Sequence, residues 1–141
     1  MKFTNITPAF GVELSNDCQL LEFSDDDVVA LKQLAAEHGI VVARNQIMDM
    51  KTQAEFGHRL GSVMKTPVNK PDIPEELIVI HAGPNSKNAA GERWHSDVSS
   101  EAVPPGLSML RMEVVPRVAE THSLRICTKH SKHFRLPCSR S

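Results

Sequence analysis

No apolar run in this chain approaches the length needed to cross a membrane. The opening Met1-Lys2-Phe3-Thr4-Asn5 forms neither a signal peptide nor a basic transit segment, so a cytoplasmic location is the expectation. Cysteine is scarce. Cys18, Cys127 and Cys138 are odd in number and widely spaced, which argues against a disulfide framework and for a reducing compartment. Internal repeats and low-complexity tracts are missing as well. What remains is 141 residues, 40% hydrophobic and 23% charged, a soluble globular composition with room for one domain and not two.

The net charge is also small, at -1, but it is unevenly spread. Residues 1–116 carry 10 Lys/Arg against 16 Asp/Glu, a balance of -6. Residues 117–141 carry six Lys/Arg against one Asp/Glu, a balance of +5, with three of the seven histidines. A basic tail of this kind can attract nucleic acid or a membrane surface.

The local patterns up to Pro116 are legible. Ile6 to Leu14 alternates apolar and polar residues and reads as a short strand or edge segment. Ser24 reads as an N-cap, with Asp25, Asp26 and Asp27 in the first turn, where the helix dipole favours anions. Val28, Leu31, Leu34 and Ala35 give an amphipathic stripe, and Gly39 ends the helix. Ile40 to Ala43 follows as an expected buried strand. A second helix is expected from Thr52 to about Leu60, with Gly61 as its stop. Pro67, Pro71 and Pro74 mark an irregular connection. Strands are expected at Leu77–His81 and Leu107–Val115, separated by a polar loop from Gly83 to Gly91. After Pro116 neither period is visible.

Trp94-His95-Ser96-Asp97 carries the chemistry. On an extended strand, residues i and i+2 share a face, so one imidazole and one carboxylate can converge on a metal. With a second histidine from elsewhere they would make the facial triad of non-haem Fe(II) oxygenases. The bland alternative is a strand-end histidine bonded to a nearby carboxylate.

Several words of the sequence, taken in order, decide between these. They are Gly39-Ile40-Val41-Val42-Ala43-Arg44-Asn45-Gln46, Phe56-Gly57-His58-Arg59-Leu60-Gly61, Trp94-His95-Ser96-Asp97-Val98-Ser99, Pro104-Pro105-Gly106 and Val114-Val115-Pro116. Through them, residues 1–116 resemble the N-terminal part of the taurine dioxygenase-like family of Fe(II)- and 2-oxoglutarate-dependent dioxygenases. The resemblance implies an α+β, mainly β fold: a double-stranded β-helix, or jelly roll, with N-terminal helices, here truncated. It implies His95 and Asp97 as metal ligands, Fe(II) as cofactor, 2-oxoglutarate as co-substrate, and dioxygen and a small organic acid or related metabolite as further reactants. Succinate and carbon dioxide would be released. Neither nucleic acid nor membrane is an implied partner.

The chain also departs from the family. After the Val-Pro word, family members continue with a Gly-Gly-Asp-Thr motif, then a distal histidine ligand and an arginine that pairs with the co-substrate carboxylate. None is recognisable here. One legal back-translation of Val118 to Ser141, read two bases later, gives Gly-Gly-Asp-Thr-Leu-Phe-Ala-Asn-Met-Tyr-Glu-Ala-Phe-Gln and then Thr-Leu-Ser-Ser-Pro-Met-Gln-Gln-Ile. This is the expected family continuation. The expectation is therefore an N-terminal portion of a dioxygenase domain at 1–116 and an aberrant, disordered basic tail at 117–141, produced by a shift of reading frame. On that reading the basic charge is an accident of frame, and the chain is inactive by itself because two protein ligands hold Fe(II) poorly and Zn or Cu would compete.

Other readings stand beside it. A non-enzymatic pseudoenzyme fragment could bind a metal or a protein partner. Cys127, His130, His133 and Cys138 have ligand types that suit zinc but match no recognisable module, and His122, His130 or His133 replacing the distal histidine lacks a rigid support. Trp94 is expected to pack beside the site, Gln46 and Asn69 to face solvent, His58 to lie on a solvated helix face and His81 to be structural. Asn85 and Asn88 lie in the loop where family members place substrate contacts.

Overall fold

The structure, a computed structural model, describes residues 1–65, 71–81, 94–98 and 101–114. Its regular elements are set by strong local signals near the N-terminus. Phe3–Asn5 (β1) and Val12–Leu14 (β2) pair antiparallel, with Phe3 opposite Leu14 and Asn5 opposite Val12. Of the expected opening strand at Ile6 to Leu14 only Val12–Leu14 forms; its partner Phe3–Asn5 lies before the expected range, and the chain turns between the two. The Thr7 hydroxyl bonds the backbone of Phe10, and Gly11 takes a positive φ of 84° that a side chain would oppose.

The first helix, Asp25–His38 (α1), forms where expected. Ser24 accepts from the Asp27 N–H while the Asp27 carboxylate accepts from the Ser24 N–H, so two orphan donors of the first turn are satisfied together. Gly39, at φ 76°, closes the other end by donating its N–H to the Ala35 carbonyl. Val41–Val42 (β3) then pairs parallel to β2, giving a sheet of order β1-β2-β3 with α1 as the crossover. β3 is two residues long and half-buried, not the buried four-residue strand expected, because it lies at the sheet edge. The second helix, Met50–Leu60 (α2), begins two residues before Thr52. Asp49 is its cap, and Thr52 is its reciprocal partner at the third helical position rather than its first residue.

These elements close one core. Val12 and Leu14 from β2, Leu20 from a 3-10 turn at Leu20–Glu22, Val28, Leu31 and Leu34 from α1, and Phe56 from α2 form its buried centre. Met109 reaches its margin from much further along the chain.

Beyond α2 the described residues contain no strand. Leu77–His81 and Leu107–Val114 form no ladder there, and Val115 lies outside the described residues. The reason is physical: a strand exists only when a neighbour takes its backbone N–H and C=O groups, and among the described residues none does. Ile78, Val79 and Ile80 are accordingly 61%, 57% and 57% exposed. The double-stranded β-helix is likewise not seen in the described residues; what they hold is the three-stranded sheet and two helices. The Gly83–Gly91 loop, Pro67 and the whole 117–141 tail lie outside them. No described helix is long and apolar enough to cross a membrane.

Candidate metal-ligand pair

His95 and Asp97 do meet. The His95 Nε2 lies 3.3 Å from the Asp97 Oδ1, with side chains 57% and 53% exposed. They are not brought together by a strand, however. Trp94 to Ser96 has no regular structure, and Asp97-Val98 forms a turn. Val98 sits at φ 48°, and its carbonyl accepts from the Glu101 N–H at 3.2 Å. A β-branched residue at positive φ is strained, so this turn holds its shape against the residue's own preference. The chain turns immediately after the acid.

The donor types, an imidazole nitrogen and a carboxylate oxygen, fit two positions on a divalent iron. Among the described residues, no third histidine, cysteine or carboxylate joins them to complete a metal-binding group. Trp94 is 69% exposed, a surface position rather than the packed one expected. Ser99, Asn69, Asn85 and Asn88, together with the tail residues His122, Cys127, His130, His133 and Cys138, lie outside the described residues.

The other sequence candidates fall elsewhere. His58, towards the end of α2, places its Nε2 3.2 Å from the Glu76 Oε1, which ties the 71–81 segment to the helix. The Glu76 carboxyl is held below its ordinary range, chiefly by its own backbone N–H and then by His58. His81 is exposed and ends no strand. Gln46, expected to face solvent, is half-buried and fully used: its Oε1 accepts from the Leu20 N–H at 2.8 Å, and its Nε2 donates to the Cys18 and Arg44 carbonyls at 2.7 and 2.8 Å.

Sequence reasoning also missed the role of Arg111. It is a charged residue within the mostly apolar Leu107–Val115 segment. Its guanidinium donates to the Gln53 Oε1 and the Met48 carbonyl, each at 2.8 Å, and pairs with Glu113. A lone arginine in an apolar run was the available signal, since a half-buried guanidinium must find acceptors. A separate shallow cleft of about 220 Å³, lined by residues that include Lys2, Asp17, Cys18 and Asp27, contains none of the predicted ligands. Burial, then the neighbouring Asp17 charge, pushes the Cys18 thiol up and away from the reactive thiolate.

Comparison with known proteins places this geometry in context. The family described as taurine catabolism dioxygenase TauD, TfdA family matches residues 2–121, a span that contains both His95 and Asp97. An alpha-ketoglutarate-dependent sulfonate dioxygenase of Saccharomyces cerevisiae is 33% identical over 121 residues, covering 74% of this chain and 28% of that protein. The alpha-ketoglutarate-dependent dioxygenase oryG of Aspergillus oryzae is 31% identical over 137 residues, covering 79% of this chain and 40% of its own length. The chain thus spans well under half the length of the curated relatives it matches.

Proposed function

This chain belongs to the TauD, TfdA family, and we propose that it is part of an Fe(II)- and 2-oxoglutarate-dependent dioxygenase whose first two metal ligands are His95 and Asp97. The observation that carries the reading is the 3.3 Å approach of these two side chains inside the family-matched span. The family implies a jelly roll, of which the described strands and helices would be the N-terminal portion.

His95 would hold the metal through its neutral Nε2 and Asp97 through a carboxylate oxygen. Bound Fe(II) with 2-oxoglutarate would supply the oxidation, in which a small organic acid is hydroxylated by dioxygen and succinate and carbon dioxide are released. The contribution of the chain is positional. The Asp97-Val98 turn lies directly beside the pair and would help place the carboxylate near the imidazole. Both side chains are more than half exposed, so these residues alone do not exclude water from the pair. Exclusion must come from polypeptide outside the described residues.

We further propose that residues from about Arg117 onward are a shifted-frame reading of the gene, and that the chain as written is inactive. The family match ends at residue 121, close to where the shift would begin. The coding sequence through codon 141 decides the first point: a shifted frame that stops at once or encodes nothing family-like overturns it. The frame-restored product should form succinate from 2-oxoglutarate in an Fe(II)-dependent way, and His95→Ala should abolish this. The chain as written should form no more than its His95→Ala variant; clear turnover above that control would overturn the claim of inactivity.

A further inference from the structure

Among the described residues, the segment 101–114 joins no ladder, and side chains fasten it to the rest of the fold. Met109 packs on the margin of the core. Arg111, two residues on, makes one bond from each guanidinium nitrogen. Its Nε donates to the Gln53 Oε1 and its Nη1 to the Met48 carbonyl, both at 2.8 Å, and its Nη2 donates to the Glu113 carboxylate. Met48 itself packs against the core, and Gln53 lies near the start of α2. These two partners stand 58 and 63 residues away in sequence, so the bonds tie distant parts of the chain together. The Arg111 side chain is only 23% exposed, and water does not simply replace an acceptor lost there.

The link from this anchor back to the ligand pair is short and stiff. Pro104-Pro105 fixes φ at two positions and disfavours helical backbone at Val103. Glu101 then donates its N–H to the Val98 carbonyl, which closes the turn directly beside Asp97. We infer that Arg111 is a positioning residue for the His95–Asp97 pair. It fastens the segment 107–114 to the start of α2, and through the proline link and Glu101 it sets where the imidazole and the carboxylate sit relative to the core. The inference rests on the reading of His95 and Asp97 as ligands given above and adds a residue that places them. Arginine is required here rather than any cation. The three acceptors are held by the rigid fork of a guanidinium, which an ammonium on a flexible stem does not reproduce.

The test is NMR of the full 141-residue chain without metal, following the Glu101 amide by hydrogen exchange and the His95 ring by its nitrogen signals. Arg111→Ala and Arg111→Lys should each speed exchange of the Glu101 amide at least about tenfold, as expected when bonds to a charged group are lost, and should shift the His95 signals. Gln53→Glu keeps an acceptor for the Nε and should match the parent, while Gln53→Ala should give a smaller change in the same direction. Gln46→Ala loosens the fold at a different place and should leave the His95 signals unmoved, which separates positioning from a general loss of stability. Far-UV circular dichroism checks that the helices persist; where Arg111→Ala loses them, Arg111→Lys and Gln53→Ala carry the test. Unchanged Glu101 exchange and His95 signals in Arg111 variants that keep their helices overturn the inference, since Arg111 then fixes only its own segment. A His95 shift of equal size in Gln46→Ala overturns it as well. Neither readout needs iron or 2-oxoglutarate, so failure here leaves the ligand reading intact. A frame-restored product that forms no succinate removes that reading and leaves this coupling measurable.

Discussion

Replacing Gln46 with alanine should be among the most damaging single changes outside the apolar core. Two glutamines join the segment before the 3-10 turn to the segment after β3. Gln19 donates to the Asn45 carbonyl at 3.0 Å and accepts from the Ile47 N–H at 3.1 Å. Gln46 makes the three bonds to Leu20, Cys18 and Arg44 already described. Each neutral bond contributes about 1 kcal/mol net, and an unpaired donor left near buried chain costs somewhat more. Three bonds set an upper figure of about 3 kcal/mol; water reaching the half-buried site returns part of it, leaving about 2 kcal/mol. Gln19→Ala removes two bonds at an exposed position and should cost no more than about 1 kcal/mol.

Gln46→Glu sharpens the argument. The carboxylate still accepts from Leu20 but then faces the Cys18 and Arg44 carbonyls with no proton to offer. Its folded pKa must therefore lie above its unfolded value of about 4.3. Below the unfolded value only the loss of one of the two donated bonds remains, because the neutral carboxyl has a single proton; the further destabilisation grows as pH rises through the folded value. The assay is urea unfolding followed by far-UV circular dichroism, because Trp94, the single tryptophan, lies outside the closed core and reports on it poorly. With a slope of about 1–2 kcal/mol/M, Gln46→Ala should lower the midpoint by about 1–2 M without changing the slope. If Gln46→Ala melts within about 0.5 kcal/mol of the parent, or if Gln19→Ala costs more, the clasp is not where the stability lies.

Phe56→Ala should cost about 3–5 kcal/mol, since Phe56 is fully buried in the core, and the same urea series measures it. Gly39→Ala should cost about 1–2 kcal/mol from backbone strain alone, because the position has φ 76° and nothing within 4 Å of an added Cβ. The two capping boxes should give the fold an acid limb. The Ser24 hydroxyl and the Thr52 backbone hold the Asp27 and Asp49 carboxyls below their ordinary values. Their contribution is complete above the unfolded pKa of about 3.9 and is lost as pH falls through the folded values. An Asp27→Asn, Asp49→Asn double variant should therefore show a flatter helicity profile below about pH 4; an unchanged profile would place the acid sensitivity elsewhere.

Which features were legible in the sequence follows from how local their causes are. α1 could be read because its cap, its dipole charges, its stripe and its stop all lie within Ser24–Gly39. The expected start of α2, with Thr52 as its first residue, falls two residues late; the reciprocal bond that makes Asp49 the cap is visible only once the helix exists. The segments at 77–81 and 107–115 show the opposite case. Their β-branched and apolar content is a property of the residues, but pairing is a property of a neighbour, and composition cannot supply the neighbour. Gln46 was misjudged for the same reason, since its three partners lie 2, 26 and 28 residues away.

The His95–Asp97 pair combines both situations. Its residue types and the ordered words around it made the two residues candidate ligands without reference to any fold. The pair lies outside any strand of the described residues, and the chain turns at Val98 directly after it. Valine is among the residues least expected at positive φ, so no sequence rule would have placed a reversal there. A pair beside a strained turn depends on its surroundings to keep that turn. Those surroundings include the Glu101 N–H, which donates to the Val98 carbonyl at 3.2 Å, so loss of the turn should separate the imidazole from the carboxylate.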